Sequence, residues 1–368
     1  MVPPEVLTSA SKPIIHHRTA EYSNIFKEVI TGLRYVFQTE GDILIFAASG
    51  TGAMEAAVTN LLSEGDHALT VNAGKFGQRW SELCKVYKIN LHELKIPYGE
   101  AVLPKQIKEA LDKNKDIKVV FTTLCETSTG TKMPIKEIAE ITNSYEVCLV
   151  VDAISGLLAD PLYQDAYNVD IVVAGSQKGM MLPPGLSFVS IAKKDKIKKL
   201  IESSKLPKYY FSFESSYKSM EKFQTPFTPA VSLIIALKEA LRLINQEGLE
   251  NIYNRCERLA KATREAVLHL GLSLFSKTPS NALTAINVPE GIEAKKLIEK
   301  LEEDWGVKVA EGQEEMKDKI FRIAHLGYVN EADIITTISA LEFTLKDLGY
   351  NKFDTGQGVK AALSILHP

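Results

Sequence analysis

The stretch EVCLVVDAISGLLADPLYQDAYNVDIVVAGSQKGMMLPPG, residues 146–185, decides the fold. Its two short runs, VCLVVDA and DIVVAGS, are nearly continuous in apolar and β-branched residues. That pattern marks strands buried on both faces. The first run ends at Asp152, and the second leads into a loop that carries Lys178. Working outward, the same unit of strand, loop and helix recurs. DILIFAAS precedes TGAMEAAVTNLL, and HALTVNA precedes WSELCKVYK. A short strand around Ile89 to Ile96 precedes LPKQIKEALDKN, and KVVFTTL precedes PIKEIAEITNS. SFVSIAKK follows the lysine loop as a further strand. The alternation predicts an α/β fold with a mostly parallel sheet covered by helices on both faces. In such a sheet ligands collect beyond the carboxyl ends of the strands.

On either side of this region the pattern changes. Residues 1–18 carry three prolines and the triplet HHR and are expected to form an N-terminal arm. TAEYSNIFKEVITGLRYVF then brings Ile25, Val29, Ile30, Leu33 and Val36 back to one side of a helix. After about residue 195 a connector rich in Ser, Tyr and Phe, SFESSYKSMEKFQTPFTPA, leads to helices expected at 230–247 and 251–270. Strands NALTAINV and KIFRIAHL then alternate with helices near 293–304 and 331–348. This predicts a smaller C-terminal α/β domain. Its boundary is placed in the long helix around 240–255, giving an arm (1–18), a large domain (19–250) and a small domain (251–368). The tail NKFDTGQGVKAALSILHP shows no distinct pattern.

The 368 residues are 45% hydrophobic and 24% charged, an ordinary globular composition long enough for two domains. A net charge of -3, from 43 basic and 46 acidic side chains, gives no reason to expect nucleic acid or an anionic membrane as a partner. Cys84, Cys125, Cys148 and Cys256 are scattered, without a C-x-x-C pair or a His/Cys cluster, so no metal site is expected and a reducing compartment is. The first residues lack the apolar stretch of a signal peptide and no apolar run reaches membrane-spanning length; a cytoplasmic protein is the expectation.

The chemistry-bearing residues fall at strand ends. A lysine is ordinarily a solvated surface residue. Lys178, between an apolar strand and Met-Met-Leu-Pro-Pro, is expected to be at least partly buried, and desolvation makes an amine nucleophilic. Asp152 is either a helix cap or salt-bridge partner, or a carboxylate that keeps a pyridine nitrogen protonated. Lysine and carboxylate together are what pyridoxal phosphate requires. AASGTGAME puts Ser49, Gly50 and Thr51 between strand and helix, where small residues and a helix N-terminus suit phosphate, although the run also reads as a simple turn. Phe76 in NAGKFGQR is a core residue or a platform for a ring. Thr127 in ETSTG belongs to a polar turn or donates to a cofactor oxygen. Arg322, inside the apolar run IFRIAH, requires an anionic partner, a substrate carboxylate or a structural glutamate.

Taken in order, VPPEVL, HHR, SGTGAMEAA, NAGKFGQR, ETSTG, VVDAISG, GSQKGMMLPPG, TPFTPAV and FRIAHLG resemble the class V, fold-type I aminotransferases, in particular the alanine–glyoxylate and serine–pyruvate group. The resemblance covers nearly the whole chain and implies a seven-stranded large domain, pyridoxal 5'-phosphate as cofactor and a homodimer. It implies that Lys178 forms the imine with the cofactor, that Asp152 partners the ring nitrogen and that Phe76 stacks on the ring. It further implies that Thr127 lies near the phenolic oxygen, that Gln177 joins Ser49, Gly50 and Thr51 around the phosphate, and that Thr225 and Thr228 reach the phosphate of the other subunit. Arg322 matches the clamp for the substrate α-carboxylate.

The activity so implied is transfer of an amino group from L-alanine or L-serine to glyoxylate or pyruvate by ping-pong exchange between small amino acids and 2-oxo acids. Alternatives are a 2-aminoethylphosphonate or other small-amine transaminase, and a non-catalytic subunit of the same fold. A cysteine desulfurase would carry a histidine before the lysine, where this chain has Gln177. Two departures bear on donor preference and activity. The family commonly opens with Pro-Gly-Pro before VPPEVL whereas this chain opens at Met1-Val2-Pro3, so either part of the pocket and arm is missing or the start lies upstream. Leu124 and Cys125 stand where relatives often have a histidine and a small or polar residue.

Overall fold

The computed structural model describes residues 1–367. Seven strands form the main sheet: β1 (Asp42–Phe46), β2 (His67–Asn72), β3 (Asn90–Lys95), β4 (Ile117–Thr123), β7 (Cys148–Asp152), β8 (Ile171–Gly175) and β9 (Ser187–Ile191), in the order β1-β9-β8-β7-β4-β2-β3. Between β4 and β7 lies a two-stranded hairpin, β5 (Cys125–Glu126) and β6 (Thr131–Lys132). Strands β8, β7, β4, β2 and β3 run parallel, and β9 runs antiparallel to both β8 and β1. The sheet is therefore mostly parallel, as the alternation of strands and helices predicts. The reversal at β9 follows from the short lysine loop between β8 and β9, which cannot hold the crossover a parallel partner needs.

Side-chain alternation along each strand feeds two layers. Ile43, Val120, Leu149, Val151 and Val172 face one core, where they meet α2 (Ala20–Phe37), α5 (Pro104–Lys113), α6 (Ile135–Ser144) and α9 (Val231–Glu247). Leu44, Phe121, Val150 and Val173 face the other, against α3 (Gly50–Leu61), α4 (Lys75–Val86), α7 (Asp195–Ser203) and α8 (Phe213–Met220). Trp80 of α4, fully buried, stacks on Phe121 of β4 with ring centroids 4.6 Å apart, which fixes α4 on the sheet. Removing such a ring costs about 3–5 kcal/mol.

The expected apolar stripe of α2 is present but runs through Tyr22 and Phe26 as well, while Ile25 is only half-buried. Residues 4–10 of the arm form a helix, α1 (Pro4–Ala10), that buries Val6 against the core and packs on α9. The connector after residue 195 contains α7 and α8. The stretch 240–255 is not one helix: Gly248, at φ 83°, separates α9 from α10 (Leu249–His269). A smaller C-terminal α/β domain follows. Its sheet has the order β10-β12-β11, with β10 (Leu283–Asn287), β11 (Ala310–Glu311) and β12 (Ile320–Ala324), covered by α11 (Ala294–Trp305) and α12 (Glu331–Asp347). The tail forms a helix, α13 (Gln357–Leu366), packed on α10 and α12. No helix is long and apolar enough to cross a membrane among the described residues.

Candidate active site

The carboxyl ends of β1, β4, β7 and β8 bring together most of the residues singled out from the sequence. Asp152 is the last residue of β7, 4% exposed, and one oxygen accepts the Ile154 N–H at 2.8 Å. No lysine or arginine forms an ion pair with it among the described residues. Burial pushes its carboxyl up to about 7, helped by Glu126 and opposed by the charges of Arg79 and Lys178. A carboxylate so placed lacks a cationic hydrogen-bond partner. Lys178 lies in the turn after β8. Burial lowers its amine, Arg322 lowers it further, and Cys125 and Asp152 act the other way. Both departures from an ordinary side-chain pKa therefore begin with desolvation.

The phosphate candidates form a cradle. Ser49 precedes α3 without capping it through its side chain, so the first N–H groups of that helix have no side-chain acceptor. The amide oxygen of Gln177 is buried without a hydrogen-bond partner, and an amide can turn its NH2 to an anion instead. Both lie beside Gly175: a Cβ there would stand 3.1 Å from Gln177 Oε1 and 3.6 Å from the Gly50 nitrogen. At Gly50 a Cβ would meet Ile154 at 2.3 Å. Helix end, amide and the close approach of two glycines suit an anion with several acceptor oxygens.

Phe76 sits in the first turn of α4, and the position of that turn is set by a residue the sequence reading passed over. Glu126, fully buried, accepts N–H groups from Phe76 at 3.2 Å, Gly77 at 2.8 Å and Ser128 at 3.2 Å, and the Ser128 hydroxyl at 2.5 Å. Burial raises its carboxyl even so. ETSTG is thus a polar turn that caps the neighbouring helix. Thr127 of the same turn donates its hydroxyl to Ser155 Oγ at 2.6 Å, which draws the VVDAISG segment to ETSTG. Ser155 was also missed, since only the fold brings residues 127 and 155 together. Arg79, one turn beyond Phe76, was missed for the same reason.

Arg322 of β12 is 7% exposed and has no carboxylate partner among the described residues. Its Nη1 donates to Thr127 O at 2.8 Å, and Nη2 and Nε donate to Glu311 O at 2.7 and 3.2 Å. The guanidinium is therefore held by backbone carbonyls that leave its charge unneutralised, and no glutamate side chain pairs with it among the described residues. Leu124 packs over Gly156 in the main core, and Cys125 is buried close enough to Lys178 and Arg322 to affect both. All four cysteines are free and buried.

Thr225 and Thr228 stand apart. Thr225 donates its hydroxyl to Phe227 O at 2.7 Å, and its carbonyl accepts Arg18 Nη1 at 2.8 Å, so the HHR triplet anchors this segment; Thr228 is exposed. Neither residue has a hydrogen bond to Ser49, Gly50, Thr51 or Gln177 within the chain.

Comparisons with known proteins show the family and the fold. Residues 6–327 match the family model "Aminotransferase class-V". The chain is 40% identical to the soluble hydrogenase small subunit of Synechococcus sp. (strain PCC 6716), covering 99% of this chain and 96% of that one. It is 34% identical to the serine–glyoxylate aminotransferase of Methylorubrum extorquens, covering 99% and 93%. The crystal structure of the ureidoglycine–glyoxylate aminotransferase from Bacillus subtilis superposes with a TM-score of 0.93 at 25% identity, covering 100% of this chain and 96% of that one. The fold is that of the fold-type I pyridoxal phosphate enzymes. Within it, the chain belongs to the class-V aminotransferases and is a pyridoxal phosphate-dependent enzyme.

The residues present fit that cofactor. A buried carboxylate without a cation, an orphan amide, an uncapped helix end and a desolvated lysine each lack the counterpart that a phosphorylated pyridine aldehyde carries.

Proposed function

We propose that the enzyme moves an amino group from L-alanine or L-serine to glyoxylate or pyruvate in two half-reactions. The observation that carries this reading is Arg322, a buried guanidinium without a carboxylate partner, fixed by Thr127 O and Glu311 O close to Lys178. Such a group binds an α-carboxylate and orients the donor. Glyoxylate is named in two of the relatives above, which supports it as the acceptor, while their donors differ.

Pyridoxal phosphate, when bound, supplies the electron sink that lets the donor Cα–H bond break heterolytically. In this reading Lys178 Nζ tethers the cofactor, then takes the Cα proton and holds it for redelivery; burial lowers the basicity of the amine. Asp152 would accept the ring N–H, and Phe76 would stack on the ring. Thr127, whose hydroxyl pairs with Ser155, would lie near the phenolic oxygen. Ser49, Gly50, Thr51 and Gln177 would hold the phosphate, with Thr225 and Thr228 added by a second copy in a homodimer. A 2-aminoethylphosphonate donor would need a further cation beside Arg322 for its phosphonate. A purely structural subunit would have no use for three buried charged groups left without ion-pair partners.

The test is the donor dependence of an R322Q variant. The expected result is a fall in kcat/KM for alanine and serine of about 100-fold, on the scale of a bidentate charge-assisted contact. Activity with ethylamine, which lacks the carboxylate, should be unchanged. Wild-type kinetics with both amino acids in the variant would remove Arg322 from the carboxylate site.

A further inference from the structure

Arg79 has no role in the account so far, yet its surroundings are unusual. Its Nη1 donates to Thr51 Oγ1 at 3.1 Å, and its guanidinium carbon lies 4.9 Å from the centre of the Phe76 ring. Its charge acts on both Asp152 and Lys75, and no carboxylate pairs with it among the described residues. The cation is thus held at the N-terminal turn of α3, the end where the helix dipole is already positive and the N-cap side chain is idle. Cations are stabilised at the opposite end of a helix. The arrangement is electrostatically unfavourable until an anion arrives between the two.

We propose that Arg79 is a positioning residue for the cofactor phosphate: it fixes the Thr51 hydroxyl as a hydrogen-bond donor into the cradle and backs the Phe76 ring. A threonine hydroxyl has one proton and two lone pairs. When an arginine N–H occupies a lone pair, the O–H proton is left for an acceptor elsewhere, and the rotor is set before the ligand binds. A planar guanidinium makes this contact and presents its face to an aromatic ring at the same time; a lysine ammonium, a point charge, does not. Residues 51, 76 and 79 thereby couple the phosphate end of the site to the ring platform, across the gap between α3 and α4.

The inference rests on the reading that residues 49–51 hold the phosphate. The experiment is a set of equilibrium dissociation constants for the apoprotein with pyridoxal phosphate and with pyridoxal, read from tryptophan fluorescence, for wild type, R79Q, R79K, T51V and the R79Q/T51V double variant. R79Q is expected to weaken pyridoxal phosphate about tenfold, the scale of one charge-assisted hydrogen bond, and to weaken pyridoxal, which loses only the backing of the Phe76 ring, by clearly less. R79K should show a smaller but still phosphate-selective loss. The double variant should lose less than the sum of its parts, because both changes remove one contact. Equal loss of both ligands, binding like wild type in R79Q and R79K, or strict additivity would each overturn the role of Arg79. Wild-type protein that binds pyridoxal as tightly as pyridoxal phosphate would instead overturn the reading of the cradle.

Discussion

Asp152 is a carboxylate whose burial weighs against folding. Burial raises its carboxyl to about 7 from an unfolded value near 3.8. The folded chain therefore keeps a proton that the unfolded chain has released across that window, so stability falls as pH rises from about 4 to 7. D152N keeps an acceptor for the Ile154 N–H but cannot ionise. The apoprotein of this variant should be more stable than wild type at pH 8, by about 4 kcal/mol, and the gap should close below pH 4; thermal unfolding across pH checks this. Its turnover should nevertheless fall sharply. K178A should lose the adduct trapped by borohydride reduction and about 10⁴-fold or more of its turnover; robust transamination by K178A would contradict the role of that lysine. The strand-end positions of Lys178 and Asp152 were legible in the sequence because each follows an apolar run. Arg322 was legible as a charge in an apolar run. Ser155 and Arg79 were not, since their meaning lies in partners 28 residues away in each case, Thr127 and Thr51.

Among the elements, α4 depends most on a distant part of the chain. It begins at Lys75 with no side-chain cap from its own N-cap residue, and Glu126 supplies acceptors for its first N–H groups. E126A would leave buried donors unsatisfied, costing roughly 1–3 kcal/mol for such a group. The expected outcome is a lowered melting temperature together with weaker cofactor binding, because Phe76 rides on that turn. E126Q, which retains one carbonyl acceptor, should recover part of both. Loss of stability without any change in cofactor affinity would detach Phe76 from the ring. The strands were readable from their β-branched runs and most helices from their apolar spacing. The direction of β9 was not readable, because the loop length that forces reversal becomes visible only when β8 and β9 are seen to pair. The tail was indistinct because α13 buries small residues, Gly358, Ala361 and Ala362, which carry little hydrophobic signal. The helices α7 and α8 are short, 9 and 8 residues, so the connector gave no helical pattern of its own.

For the whole molecule, the proposed homodimer is tested at the segment carrying Thr225 and Thr228. Thr228 is exposed in the single chain, and beside it Tyr209 and Tyr210 pack on Phe227 while remaining 80% and 40% exposed. Sedimentation should give twice the chain mass. Subunit exchange between K178A and a T225A/T228A variant should restore tight phosphate-dependent cofactor binding at the intact lysine sites; exchange without recovery would keep the segment out of the partner's site. The most direct test of the central claim is a single half-reaction. Protein loaded with pyridoxal phosphate and freed of excess cofactor is mixed with L-alanine or L-serine in the absence of an acceptor, and the 2-oxo acid released is counted. About one equivalent per site is expected, followed on addition of glyoxylate by one equivalent of glycine. Loaded protein that yields no 2-oxo acid from either donor, while its Lys178 still traps the cofactor on reduction, would contradict the proposed amino transfer.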